Sequence, residues 1–217
     1  MAGLGCGGAP GSVVPQSAGP VSSEQVAQWV RSTQPDEHRL HRFKWLFRDD
    51  KSSAGGRGSV RIAPPDSMRF DVAGPFGSDP ASAAVIGERP LWAQPPDAID
   101  KLVPNYPLMW GMFGVARPPD AGAELRGLSD GATTAWRYAE ADDTVEYLRT
   151  EGRPVRMLTV VRHGGELVGK AETTLDSAGA PLTARLTVPS VPARLDLTFL
   201  STSRADFAPD VWVSRKP

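Results

Sequence analysis

Several things that would direct a reader toward particular chemistry are scarce in this chain. Cysteine occurs once, at Cys6, so no disulfide framework can form within the chain. Neither sign of charge is in excess: Lys+Arg number 24 and Asp+Glu 25, for a formal net charge of −1. That balance lacks the basic footprint of a nucleic-acid-binding protein. No run reaches the roughly eighteen apolar residues of a membrane-spanning helix. Histidine is limited to His38, His41 and His163. His38 and His41 stand three apart at the start of an alternating segment, which turns them to opposite faces and makes a poor metal pair. They read as exposed polar residues. No G-x-S-x-G or H-E-x-x-H occurs, and Glu140, Asp142 and Asp143 cluster in a turn. These absences point away from an enzyme and away from a metal or other cofactor.

What the chain does have is turn formers and alternating segments. Glycine (22) and proline (21) are each about a tenth of the 217 residues, a composition that suits many short strands. Residues 3–20 are Gly, Pro, Ser and Ala with almost no charge and cannot bury a face. Residues 1–21 therefore read as a flexible tail and 22–217 as one domain. Ser22 and Gln25 have capping-box spacing, with Val26, Trp29 and Val30 on one face of a helix ending near Thr33. In Leu40–Arg48, His41, Phe43, Trp45 and Phe47 alternate with Arg42 and Lys44. The Gly-rich run from Ser52 to Gly58 reads as a turn, since it lacks the Lys-Ser/Thr and the helix of a phosphate loop.

Further alternation includes Met68, Phe70 and Val72, then Trp136 with Tyr138, Val145 with Tyr147, 155–160, 182–188 and 195–199. Gly87-Glu88-Arg89, Gly164-Gly165 and Ser177–Gly179 mark hairpins. Roughly ten or eleven strands at spacings of about 8–12 residues signal a sandwich or barrel. Pro96–Phe113 interrupts them with two short helical pieces. The expected architecture is mainly β: a highly curved antiparallel sheet, an incomplete barrel, with helices as a lid or plug over its concave, apolar side.

The large apolar residues Phe43, Trp45, Phe47, Met68, Phe70, Trp92, Met109, Trp110, Phe113 and Trp136 admit two readings. They can be ordinary core, or they can line a cavity for acyl chains, since methionine adapts to irregular apolar ligands and barrel mouths are common ligand sites. Cys6 likewise reads either as an incidental thiol or as a lipid-attachment site, because Leu4-Gly5-Cys6 resembles the end of a bacterial lipobox. Leu4 stands one place closer to the cysteine than the usual leucine, and no charged start or long apolar run precedes it.

Arg69–Gly77 (RFDVAGPFG) resembles the strand–Pro-Leu-Gly–strand segment of LolB-like outer-membrane lipoproteins. Asn105–Arg117 (NYPLMWGMFGVAR) is similar to that family's helical segment, and Ala193–Val213 to its closing strands, with Trp212-Val213 as the terminal pair. The resemblance covers most of 22–213 in layout. It implies the incomplete-barrel fold shared with LolA-type carriers and a non-catalytic envelope protein without cofactor. Such a protein binds acyl chains and receives or inserts lipoproteins at the outer membrane, facing the periplasm. It would be a monomer, anchored through Cys6, taking cargo from a periplasmic lipoprotein carrier. Gly7 after the cysteine implies outer-membrane sorting. Pro75, Phe76 and Gly77 would form a protruding acyl-transfer loop, with Phe76 in the family's leucine position; alternatively Phe76 folds back to staple the loop. Two other roles remain open: a soluble LolA-like carrier, if Cys6 is not lipidated, and a structural or assembly lipoprotein sharing the fold.

Overall fold

Ser22 starts the first described helix at a defined point. Its hydroxyl oxygen accepts from the Gln25 amide at 3.2 Å, supplying one of the partners that a helix start lacks. α1 then runs over Ser23–Thr33, burying Val26 and Val30. The computed structural model describes residues 18–96, 105–190 and 192–213, and the backbone alone of Phe76. Cys6 and most of the tail, and the first half of the expected helical insert, lie outside the described residues.

Among the described residues thirteen strands form one antiparallel sheet. In chain order they are β1 (Gly19–Val21), β2 (Arg39–Arg48), β3 (Ser53–Ala63), β4 (Ser67–Ala73), β5 (Ala81–Ile86), β6 (Arg89–Gln94), β7 (Glu124–Ser129), β8 (Thr133–Glu140), β9 (Asp143–Thr150), β10 (Val155–His163), β11 (Glu166–Leu175), β12 (Pro181–Val188) and β13 (Ala193–Arg204). The spatial order is β1-β7-β8-β9-β10-β11-β12-β13-β2-β3-β4-β5-β6, so two meanders are joined where β13 pairs with β2, and among the described residues β1 and β6 are the edge strands. This is the mainly β, incompletely closed architecture that the alternation implies. Gly19–Val21, placed by composition in the tail, is instead the short edge strand paired with β7.

The second described helix, α2 (Tyr106–Gly111), shows why the sheet must curl. Asn105 caps it by accepting from the Leu108 amide. Almost every side chain of α2 is buried, as its all-round apolar sequence requires. On one side it lies against β10 and β11, so closely that a Cβ on Gly111 would stand 2.3 Å from Thr159 Oγ1, and one on Gly169 2.8 Å from Leu108 Cδ1. On the other side the Trp110 indole N–H reaches the Gly87 carbonyl in the β5–β6 turn at 2.9 Å. One short helix thus touches two strands and a turn far apart in the sheet order, which a flat sheet cannot arrange.

The Gly-rich run from Ser52 to Gly58 is not a turn. Ser53–Ala63 is strand, and the reversal occurs over Asp49–Ser52, where Asp49 Oδ1 accepts from the Lys51 and Ser52 amides. The glycines serve packing. Gly58 sits opposite Phe43, and a Cβ there would be 2.7 Å from the ring. Gly56, opposite Trp45, lets β3 approach the Ala73 carbonyl, which a Cβ would meet at 1.9 Å.

Candidate apolar mouth

Strand register assigns each side chain a face and a height. The inner face, toward α1 and α2, carries His41, Phe43 and Trp45 of β2, Met68 and Phe70 of β4, and Met157 and Val161 of β10. Two aromatic groups build its middle. Phe43, Phe113, Phe199 and His41 have ring centroids 5.8–6.5 Å apart. Trp136 stacks on Tyr147 at 5.3 Å and meets Trp29 at 6.0 Å. Such separations suit offset and edge-on ring contacts. Burial raises the Tyr138 hydroxyl pKa and brings that of Tyr147 to about 12, so both stay neutral within this apolar interior.

The two ends of the half-barrel differ. At the end where β2 begins, polar contacts close it. Arg39 pairs with Asp36 and Glu37 at 3.0 and 3.4 Å, and Arg204 also meets Glu37. The Gln34 side chain donates to the Ala116 carbonyl at 2.6 Å, and the Ala116 amide donates to Thr33 Oγ1. A recess of about 360 Å³ remains there, lined by Arg39, His41, Phe113 and Leu175 among others. His41, expected to be exposed, is 2% exposed. Its Nδ1 is 2.8 Å from Thr202 Oγ1, and burial, aided by the Arg39 charge, lowers its pKa to about 4. Alternation correctly placed it with Phe43; what it could not give was the closed end of the sheet above it.

At the opposite end stand the β2–β3 turn, the β4–β5 loop, the β10–β11 turn and the β12–β13 turn. There the inner face ends in large apolar groups that the core only partly covers. Trp45, Val72, Tyr106, Val168, Val188 and Leu195 are all half-buried and packed against the core from above. Phe47, the next inward residue of β2, is half-buried beside Leu195. Trp45 is held in place by its indole N–H, which donates to the Ala73 carbonyl at 3.2 Å. These seven half-buried side chains, none of them charged, form an apolar rim above the aromatic floor, and this rim is the mouth.

Of the sequence-derived candidates, Trp45 and Phe47 lie at this mouth. Phe43, Met68, Phe70, Met109, Trp110, Phe113 and Trp136 lie beneath it, all 8% exposed or less. Trp92 is on the other face. It pairs with Ala84, which pairs with Arg69, and Arg69 points away from Met68 and Phe70. A register shift between Ala84 and Val85 breaks the alternation that would have turned the indole inward. Trp92 instead donates to the Trp212 carbonyl at 2.7 Å beneath the C-terminal 3-10 turn (Pro209–Trp212) and lies under the Arg69 guanidinium. Pro75–Gly77 forms a single 3-10 turn at the mouth end, with Pro75 and Gly77 exposed; the Phe76 side chain lies outside what is described.

Arg117 was not singled out by sequence. It is 8% exposed, 5.3 Å from the Trp110 ring, 3.9 Å from Asp66 and 3.8 Å from Glu88. Burial, with Asp120 and Glu140 nearby, raises the Glu88 pKa despite Arg117. Among the described residues no group of three or more His, Cys, Asp or Glu could hold a metal ion, and no helix is long and apolar enough to cross a membrane.

No family model and no curated protein sequence matches the chain. In structure it is similar to a LolA-superfamily protein of Nitrosomonas europaea, at 10% identity and a TM-score of 0.44, with 89% of this chain and 98% of that one covered. It is similar to a domain assigned to outer-membrane lipoprotein sorting from Vibrio parahaemolyticus, at 8% identity and a TM-score of 0.39, covering 87% and 95%. It is also similar to MucB, at 12% identity and a TM-score of 0.37, covering 89% of this chain and 64% of that one.

Proposed function

We propose that this chain is a non-catalytic acyl-chain-binding protein of the bacterial cell envelope, receiving or inserting lipoproteins at the outer membrane. The observation that carries the reading is the mouth. Trp45, Phe47, Val72, Val168, Val188 and Leu195 share one end of the inner face and are left half-buried, whereas the other end is closed by ion pairs and hydrogen bonds. Large apolar groups kept partly in water gain when an apolar ligand covers them, by about 0.8 kcal/mol per methylene of a chain laid across them. An aliphatic chain fits because the surfaces offered are rings and branched side chains without charged groups to orient a polar ligand.

The test is native mass spectrometry of the purified protein, together with binding of a fluorescent fatty-acid analogue. A mass increment matching lipid, and probe binding abolished by Trp45→Glu but kept by Trp45→Phe, is the expected result. A protein that carries no lipid and leaves the probe free overturns the proposal. Cys6 is proposed as the anchor, and growth with a clickable palmitate analogue checks it: label on the wild type and none on Cys6→Ser is expected. An unlabelled wild type points to a soluble carrier.

A further inference from the structure

The segment that supplies the mouth with Trp45 and Phe47, and the floor beneath it with Phe43, supplies the outer face with Arg42, Lys44 and Arg48. All three cations are exposed. Arg57 of β3 joins them, also exposed and directly opposite Lys44. Residues directly opposite on neighbouring strands have Cβ atoms about 4.5–5.5 Å apart, where like charges destabilise a sheet.

The cations are not neutralised within the sheet. The two carboxylates one diagonal step away are already taken. Asp196 of β13 binds Arg185 at 2.7 Å and Arg194 at 2.8 Å. Asp71 of β4 binds Arg61 at 2.6 Å and Arg69 at 2.8 Å and accepts from Ser82. Among the described residues neither these nor any other carboxylate comes within ion-pair distance of Arg42, Lys44, Arg48 or Arg57. Elsewhere on the same face some cations do have partners, as with Lys170 and Glu172 at 2.8 Å and Arg185 with Asp196, while Arg156 stands exposed and isolated. What sets this patch apart is that four such cations cluster on two neighbouring strands, in a chain whose formal net charge is −1.

We propose that the outer face of β2–β3 is a docking surface for an anionic lipid bilayer, which binds the phosphates of lipid headgroups through Arg42, Lys44, Arg48 and Arg57. The charge complementarity stands on the patch itself. The choice of a bilayer over another anionic surface rests on the acyl-binding reading of the mouth. β2 turns cations outward and aromatic rings inward residue by residue, so a bilayer held on the outer face stands beside the rim at Trp45 and Phe47. Asp50 is exposed at the tip of the β2–β3 turn, so the flat of the hairpin, not its tip, meets the phosphates.

The test is co-sedimentation of the full chain with phosphatidylcholine vesicles, with and without phosphatidylglycerol, for wild type and for the triple variant Arg42→Gln, Lys44→Gln, Arg57→Gln. These side chains are exposed, so the variant should fold, and its thermal melt verifies this. Wild type should prefer the phosphatidylglycerol vesicles and lose the preference as salt rises. The triple variant should bind them on the order of 100-fold more weakly, at roughly fivefold per cation. Neutralising the exposed Arg153 and Arg156 in the other half of the sheet should change little. Equal loss per charge from that control overturns the proposal, as does wild-type binding in the triple variant. Patch-dependent capture of poly-glutamate without any phosphatidylglycerol preference overturns it in favour of an acidic protein partner. Binding of the fluorescent fatty-acid analogue in the absence of vesicles separates the two readings. The triple variant should retain it, and Trp45→Glu should lose it while keeping the phosphatidylglycerol preference.

Discussion

The indole Nε1–H of Trp110 donates to the carbonyl oxygen of Gly87 across 2.9 Å, joining the buried helix α2 to the turn between β5 and β6. Trp110 is fully buried, so water cannot replace either partner if the other is lost. Trp110→Phe removes the donor and leaves a carbonyl unsatisfied, at a cost of about 1–3 kcal/mol. Trp110→Ala adds a cavity and costs about 3–5 kcal/mol. Urea denaturation measures both. In Trp110→Phe, faster hydrogen exchange should appear at the Gly87 amide, which donates to Asp66, before it appears in β10 and β11. Uniform acceleration would mean that the bond does not hold the turn to the helix.

The close approach of helices to sheet rests on glycine, most tightly at Gly127 and Gly111. A Cβ on Gly127 would stand 2.2 Å from Val26 Cγ2, and one on Gly111 2.3 Å from Thr159 Oγ1. Gly127→Ala and Gly111→Ala should each destabilise by about 1–3 kcal/mol through overpacking. Val26→Ala alone opens a cavity in the core. Combined with Gly127→Ala it relieves the clash, so the double variant should be more stable than the sum of the single effects predicts. Thermal melts of the four proteins complete the cycle, and strict additivity would rule out the proposed contact.

Alternation along single segments was enough to identify the curved antiparallel sheet, the position of α1 and the inward set Phe43, Trp45 and Phe47, because facing depends only on local period. It could not identify the mouth. Whether Leu195 or Leu197 is at the rim depends on their pairing with Phe47 and Trp45, a register set between strands distant in sequence. Trp92 faces outward against its sequence pattern because a bulge shifts parity without a sequence signal of its own. Gly55-Gly56-Arg57-Gly58 has the composition of a turn yet lies in a strand, because glycine serves close packing as well as turns. Arg117 left no trace, since its burial arises only where α2, β9 and two hairpin turns converge.

His41 should make stability depend on acidity. In the fold its pKa is lowered from the ordinary 6.5 to about 4 by burial first and by Arg39 second. The unfolded chain therefore binds more protons than the folded one between those values, and stability rises with pH there. The contribution is fully present above about pH 6.5 and is lost as pH falls toward 4, on the order of 3 kcal/mol at full extent. Urea midpoints from pH 4 to 8 should show this slope in wild type and a reduced one in His41→Gln. The same slope in both would assign the acid sensitivity to the carboxylates.

Phe76 gives the remaining prediction. The β4–β5 loop closes on itself: the Gly74 amide donates to the Ser78 carbonyl at 2.8 Å, and the Gly77 and Ser78 amides donate to the Gly74 and Pro75 carbonyls at 3.2 Å. Gly77 has φ +82°, a left-handed conformation that glycine adopts without strain. The turn's backbone bonds therefore do not depend on the side chain at position 76. If that ring is the membrane-facing tip of an acyl-transfer loop, Phe76→Glu should leave the thermal midpoint near that of wild type. Liposome association should fall sharply, because burying a phenyl ring contributes about 1.5–3 kcal/mol and a carboxylate opposes it. Gly77→Ala should instead strain the turn and weaken both. A collapse of thermal stability in Phe76→Glu would show that the ring staples the loop to the protein, and unchanged liposome association would remove it from any transfer role.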